Sequence, residues 1–113
     1  MVPKQGEVYW AFQDKKRPVV VVSRETMNRG RYVLVTPLTT SHIETRKHLP
    51  NCVFIRGREF GLRDCIVQAE LTTHLPLDDL DTTSGSVAVL DDRIIRDIVR
   101  AVGHVLDADC EPR

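Results

Sequence analysis

The segment 14-DKKRP-18 sets three consecutive basic side chains, Lys15, Lys16 and Arg17, directly ahead of the apolar run 18-PVVVVS-23. Proline restricts the residue before it to extended backbone, so the chain itself aims Arg17 at the mouth of a strand. A second polar group ends another β-favouring run: 36-TPLTTS-41 closes on Thr39, Thr40 and Ser41, followed by His42. A guanidinium presents a planar fork of donors matched to phosphate, and hydroxyls add short-range donors. The two groups together suit a phosphodiester. Each alone is also what a solvated turn or loop looks like, so the elements that position them decide between the readings.

Other chemistries leave no trace in the sequence. There is no G-x-x-x-x-G-K-[ST], no H-E-x-x-H, no G-x-S-x-G and no calcium-binding loop. His42, His48, His74 and His104 lack metal-ligand spacing, so no metal and no other cofactor is expected. Cys52, Cys65 and Cys110 are odd in number and form no C-x-x-C pair. They read as reduced thiols, two buried and one on the tail.

The elements that would carry the polar groups are mostly strands. The runs 7-EVYWAF-12, 18-PVVVVS-23, 31-RYVLVTPL-38, 52-CVFIRG-57 and 65-CIVQAEL-71 are rich in β-branched and aromatic residues and are bounded by Gly, Pro, Asn or Asp. They predict a mostly antiparallel sheet. Val19–Val22 is apolar at every position, so this strand is expected to be covered on both faces, at the centre of a small barrel or a strongly bent sheet. From Leu90 the period becomes helical: Leu90, Ile94, Ile95, Ile98, Ala101, Val102, Val105 and Leu106 share one face, and Asp91 is placed to cap the start. Residues 76–89 read as a turn or short helix followed by one short strand, and 107–113 as a frayed tail.

At 113 residues the chain fits one domain, residues 1–113 with a core of about 5–106. Lys+Arg and Asp+Glu both number 16, for a net charge of zero, but the charges are unevenly placed. Residues 1–63 carry 12 basic against 5 acidic residues and residues 64–113 carry 4 against 11; this reads either as a basic functional face opposed to an acidic solvated one or as no division at all, since both halves fold into one body. No apolar run approaches the roughly 20 residues of a membrane helix and no cleavable leader is evident, which predicts a soluble cytoplasmic protein without membrane contact.

In this order the pieces resemble the MazF/PemK family of toxin endoribonucleases. The segment 5-QGEVYWAF-12 is similar to the family's G-[DE]-[IV]-[YW] opening strand; 17-RPVVVVS-23 with Asn28, and then 33-VLVTPLTTS-41, are similar to its R-P strand and its P-[LIV]-T ending. The segments 49-LP-50, 53-VFI-55, 60-FGLRDCIV-67 and 90-LDDRIIRDIV-99 follow in family order. The resemblance implies a small SH3-like, CcdB/PemK-like antiparallel β-barrel with a C-terminal α-helix. It implies a metal-independent, sequence-specific cut of single-stranded RNA, with Arg17 and Thr39 as the catalytic pair. The 2′-hydroxyl would attack to leave a 2′,3′-cyclic phosphate and a 5′-hydroxyl. RNA contacts are expected at Lys15, Lys16, Thr40, Ser41, His42, Gln68 and His74. The implied partners are single-stranded RNA, a cognate antitoxin, acidic and partly disordered, and a second copy of the chain in a homodimer. The chain departs from the family pattern at 71-LTTH-74, where relatives read R-T-[IV]-D, and at Cys65, where serine is common. His74 reads first as a simple surface histidine, with replacement of the lost acid as a proton carrier the alternative. The alternatives are a non-catalytic RNA binder and a CcdB-like gyrase-inhibiting toxin.

Overall fold

The first two strands show why the sheet needs two cores. β1 (Glu7–Phe12) alternates from Tyr9 onward, with Tyr9 and Ala11 buried in one cluster and Trp10 and Phe12 exposed, while Val8 is buried in another. β2 (Lys16–Val21) instead buries three consecutive valines: Val20 joins one hydrophobic cluster while Val19 and Val21 join another. Successive strand residues face opposite sides, so a strand buried at every position must be covered on both. The computed structural model describes residues 2–12, 15–83 and 85–106. Asp14, Cys110 and the tail at 107–113 lie outside the described residues.

After β2 come a one-turn helix α1 (Glu25–Asn28), β3 (Tyr32–Thr39), a second one-turn helix α2 (Ile43–Arg46), β4 (Cys52–Ile55), β5 (Cys65–Gln68) and β6 (Thr73–Pro76). Then β7 (Leu80–Asp81), β8 (Ala88–Val89) and α3 (Asp92–Val105) complete the described chain. The strands form one antiparallel sheet in the order β4-β5-β3-β2-β1-β7, with β6 added to β3 and β8 to β1. The path ends at β4 and β7 without closing, so the barrel-like body is a bent, open sheet. β2 lies inside it, between β1 and β3.

β3 organises the bend. Its eight residues share one edge between two partners: Leu38 and Thr39 pair with β5, and Tyr32 to Val35 pair with β6. The sequence reading ran the fifth strand through residue 71 and did not anticipate β6. The chain breaks there because Ala69–Leu71 forms a 3-10 turn, closed when the Thr72 N–H and hydroxyl both donate to the Ala69 carbonyl at 3.1 and 2.7 Å. Thr36 and Thr72 hydroxyls meet at 2.9 Å, which pins this turn beneath β3.

α3 covers one face of the sheet through Ile94, Ile98 and Ala101, packed over a cluster that includes Val8, Val20 and Leu38. Asp91 caps it as expected, its side chain accepting from the Ile94 N–H at 3.0 Å. Val105 and Leu106, read as part of the buried face, are exposed. The helix also dictates a glycine. Gly6 has φ +93°, and a Cβ there would stand 2.5 Å from the Ile95 side chain. The entry to β1 is held by a polar knot: buried Asn28 donates to the Pro3 and Ser23 carbonyls at 2.9 and 3.0 Å, and its side-chain oxygen meets the Ser23 hydroxyl.

Candidate active site

A proline opens the site. The Val22 N–H donates to the Leu34 carbonyl, so even-numbered residues of β2 face β3; Pro18 has no N–H to extend that ladder, and the β2–β3 register stops at Val19–Pro37. Beyond that pair β3 stays paired only on its other edge, Leu38 with Val67 and Thr39 with Ile66 of β5. The ends of β2 and β3 therefore flank a cavity of about 870 Å³. Arg17 and Thr39 each lie two residues past Val19–Pro37 in their own strand, and both line the cavity.

Of the remaining residues expected at the site, Lys15, Thr40, Ser41, His42 and Gln68 also line this cavity. Lys16 and His74 are not brought into it. Lys16 has its ammonium 3.8 Å from Asp81, and His74 lies opposite Leu34 on β6 with its ring edge-on to Tyr32, centroids 5.4 Å apart. The cavity gathers residues the sequence reading did not single out as site residues: Trp10, Arg46, Arg63 and Leu71. Arg46 had a readable signal, because it follows His42 by four residues and so lies one helical turn away, its N–H donating to the His42 carbonyl at 3.0 Å.

Electrostatics set the cavity apart. Lys15, Arg17, Arg46 and Arg63 line it, and no Asp or Glu does among the described residues. Lys16, Arg29, Lys47 and Arg100 each have a carboxylate within 4.0 Å; among the described residues the four cavity cations have none. Unpaired cations converging on one hollow hold a field suited to an anion. Thr39 is half-buried and accepts from the Ser41 N–H at 3.1 Å, which leaves its own proton free to donate. His42 takes the left-handed conformation, φ 56° and ψ 38°, the one non-glycine to do so among the described residues. Such backbone outliers concentrate at functional sites. Cys65 also lines the cavity, but burial, with Asp64 adding to it, pushes its thiol up to about 11. At neutral pH it is a neutral thiol, with no nucleophilic thiolate to offer.

Residues 4–106 match the family model described as PemK-like, MazF-like toxin of type II toxin-antitoxin system. The chain belongs to this family. Its membership accounts for the shared order of the R-P strand, the P-L-T ending and the closing helix. Among solved structures of MazF-like proteins, an endoribonuclease in complex with its cognate antitoxin from a mycobacterial species superimposes with a TM-score of 0.79 at 25% identity, covering 97% of this chain and 99% of that one. The Mycobacterium tuberculosis toxin MazF-mt6 gives 0.75 at 25% identity, covering 92% and 99%. A chain of the MazE-MazF complex from Deinococcus radiodurans gives 0.75 at 20% identity, covering 94% and 96%, a likeness of fold. No curated protein sequence matches the chain. Among the described residues of this MazF-like chain, no helix is long and apolar enough to cross a membrane.

Proposed function

We propose that this MazF-like toxin is an endoribonuclease that cuts single-stranded RNA by transfer of a phosphodiester to its own 2′-hydroxyl. One observation carries the reading: Arg17 and Thr39 issue from adjacent strand ends into a cavity that, among the described residues, is lined by four cations without a carboxylate partner and by no carboxylate. In the reaction the 2′-hydroxyl gives up its proton to solvent as its oxygen bonds to phosphorus, the bond to the 5′-oxygen breaks with that oxygen taking up a proton, and negative charge gathers on the equatorial oxygens. Prepositioned donors that meet this charge lower the barrier. Arg17 places its guanidinium fork on two of those oxygens, and the free Thr39 proton, oriented by the Ser41 N–H, bonds one of them. Lys15, Arg46 and Arg63 hold the flanking phosphates, while Gln68 and the 40–42 loop face the bases. Since the nucleophile is the 2′-hydroxyl, DNA is not cut.

Two partners belong to the same reading. An acidic, partly disordered antitoxin segment satisfies the cations of the cavity when it folds against them. The second partner is another copy of this chain, as a homodimer. The chemistry is tested by incubating purified protein with a long single-stranded RNA in EDTA and examining the ends. Discrete fragments with 5′-hydroxyls and cyclic phosphates are expected, with the matching DNA intact. Fragments with 5′-phosphates, or cleavage that EDTA stops, would overturn the mechanism.

A further inference from the structure

We infer that Trp10 is a stacking wall for a nucleobase of single-stranded RNA, and that Lys16 is the residue that braces it. The inference rests on the reading of the chain as a protein acting on RNA. Trp10 lines the cavity and is 37% exposed. It stands opposite Pro18 in the β1–β2 register, next to the residue that would grip the phosphate, Arg17. The donors of the cavity serve phosphate and base edges; the indole supplies a broad π-face. Aromatic stacking accepts any base, so the wall contributes affinity and leaves the choice of sequence to the polar loops.

A wall must be held still, and a chain of contacts holds this one. The Lys16 ammonium lies 5.5 Å from the centroid of the Trp10 ring and 5.5 Å from that of Phe12. It is anchored by Asp81 at 3.8 Å. Asp81 is the cross-strand partner of Trp10 in the two-residue strand β7, so one short pairing sets both the ring and its counter-charge. The Asp81 carboxylate accepts from the Thr83 hydroxyl at 2.6 Å and the Thr83 N–H at 3.3 Å. Thr83, Asp81, Lys16 and the two rings form one connected brace, and Lys16 has no place in the cavity itself. Its charge is spent on the ring.

Trp10 is the single tryptophan of the chain, so its fluorescence reports the site without a mutation. The probes are a mixed-sequence single-stranded oligonucleotide, 2′-O-methylated to block cleavage, and an abasic oligonucleotide of equal length; binding of each is followed separately by anisotropy of an end label. The inference expects both to bind, the base-bearing one more tightly, and only that one to quench Trp10. Equal quenching by both, or binding of the base-bearing oligonucleotide without quenching, overturns the stacking wall and leaves the RNA-cleaving reading standing. Binding by neither overturns both. Trp10→Leu should weaken the base-bearing oligonucleotide about tenfold, within the range of a single base–aromatic stack. For Lys16 the test is kinetic: Lys16→Met should raise KM for RNA severalfold with kcat little changed and make free Trp10 more accessible to acrylamide, while Lys16→Arg, which also stacks on rings, should restore both. A fall in melting temperature with KM and acrylamide quenching unchanged would show that Lys16 only stabilises the fold.

Discussion

Arg17 and Thr39 share a face of the sheet because each lies two residues beyond the Val19–Pro37 pair in its own strand. Their relation is set by register, so no loop has to hold it. Thr39 is the more sharply testable partner, since the Ser41 N–H already occupies an acceptor site on its oxygen and its role is that of a donor. Thr39→Val, which keeps the shape and removes the proton, should lower kcat by about 10²-fold or more. Thr39→Ser should retain most activity. Equal loss in both variants would mean that shape at this position matters and the donated proton does not.

The unpaired cations predict a salt signature. Arg63→Gln and Arg46→Gln should each weaken RNA binding across sequences and reduce the slope of log K against log salt by about 0.7–1, the share of one phosphate contact. Arg29→Gln is the control, because Arg29 lies outside the cavity and meets Glu25 at 3.5 Å. A slope unchanged by either cavity variant would remove those arginines from the RNA path.

Stability at the far side of the molecule depends on Asn28, fully buried and bonded to Pro3 and Ser23. Asn28→Ala strands two carbonyls and a hydroxyl and should cost about 2–4 kcal/mol, read from the urea midpoint. Cleavage per folded molecule should be unchanged. A cost near zero would mean that the loop relaxes to water.

Two buried groups set the alkaline limit. Burial pushes the Cys65 thiol from 9.0 up to about 11, and burial together with the bond to Glu7 pushes the Tyr9 phenol from 10.0 up to about 12. As pH climbs, the unfolded chain loses these protons first, so it binds fewer protons than the folded one and stability falls. The contribution is whole below 9.0 and is lost progressively towards about 12. Denaturation midpoints should decline across that window, less steeply in Cys65→Ala; a constant midpoint would contradict the burial argument.

Much of this was legible in the sequence where one principle dominates. The unbroken valine run dictated a strand covered on both faces, and Asp91 before an i, i+4 apolar pattern dictated a capped helix. β6 was hidden because 73-THLP-76 buries only Leu75 and presents no alternating pattern; it exists because β3 is long enough to hold two partners. At the site, Lys15 and Arg17 line one cavity with residues 39–42, whereas adjacency in sequence could not tell that Lys16 would be drawn to Asp81, 65 residues away. Trp10 and Arg63 were missed for the same reason: each is ordinary in its own segment and acquires meaning only when the bent sheet brings it to the cavity. Arg46, one helical turn after His42, was within reach of the sequence.

The central claim is that Arg17 stabilises the charge of a breaking phosphodiester, and single-turnover cleavage of a long single-stranded RNA by wild type and Arg17→Ala, in EDTA, tests it most directly. The account predicts discrete cuts by the wild type and a rate lowered by about 10²–10³-fold or more in a variant whose fold and RNA affinity are largely kept. Cleavage by Arg17→Ala at near the wild-type rate would contradict it.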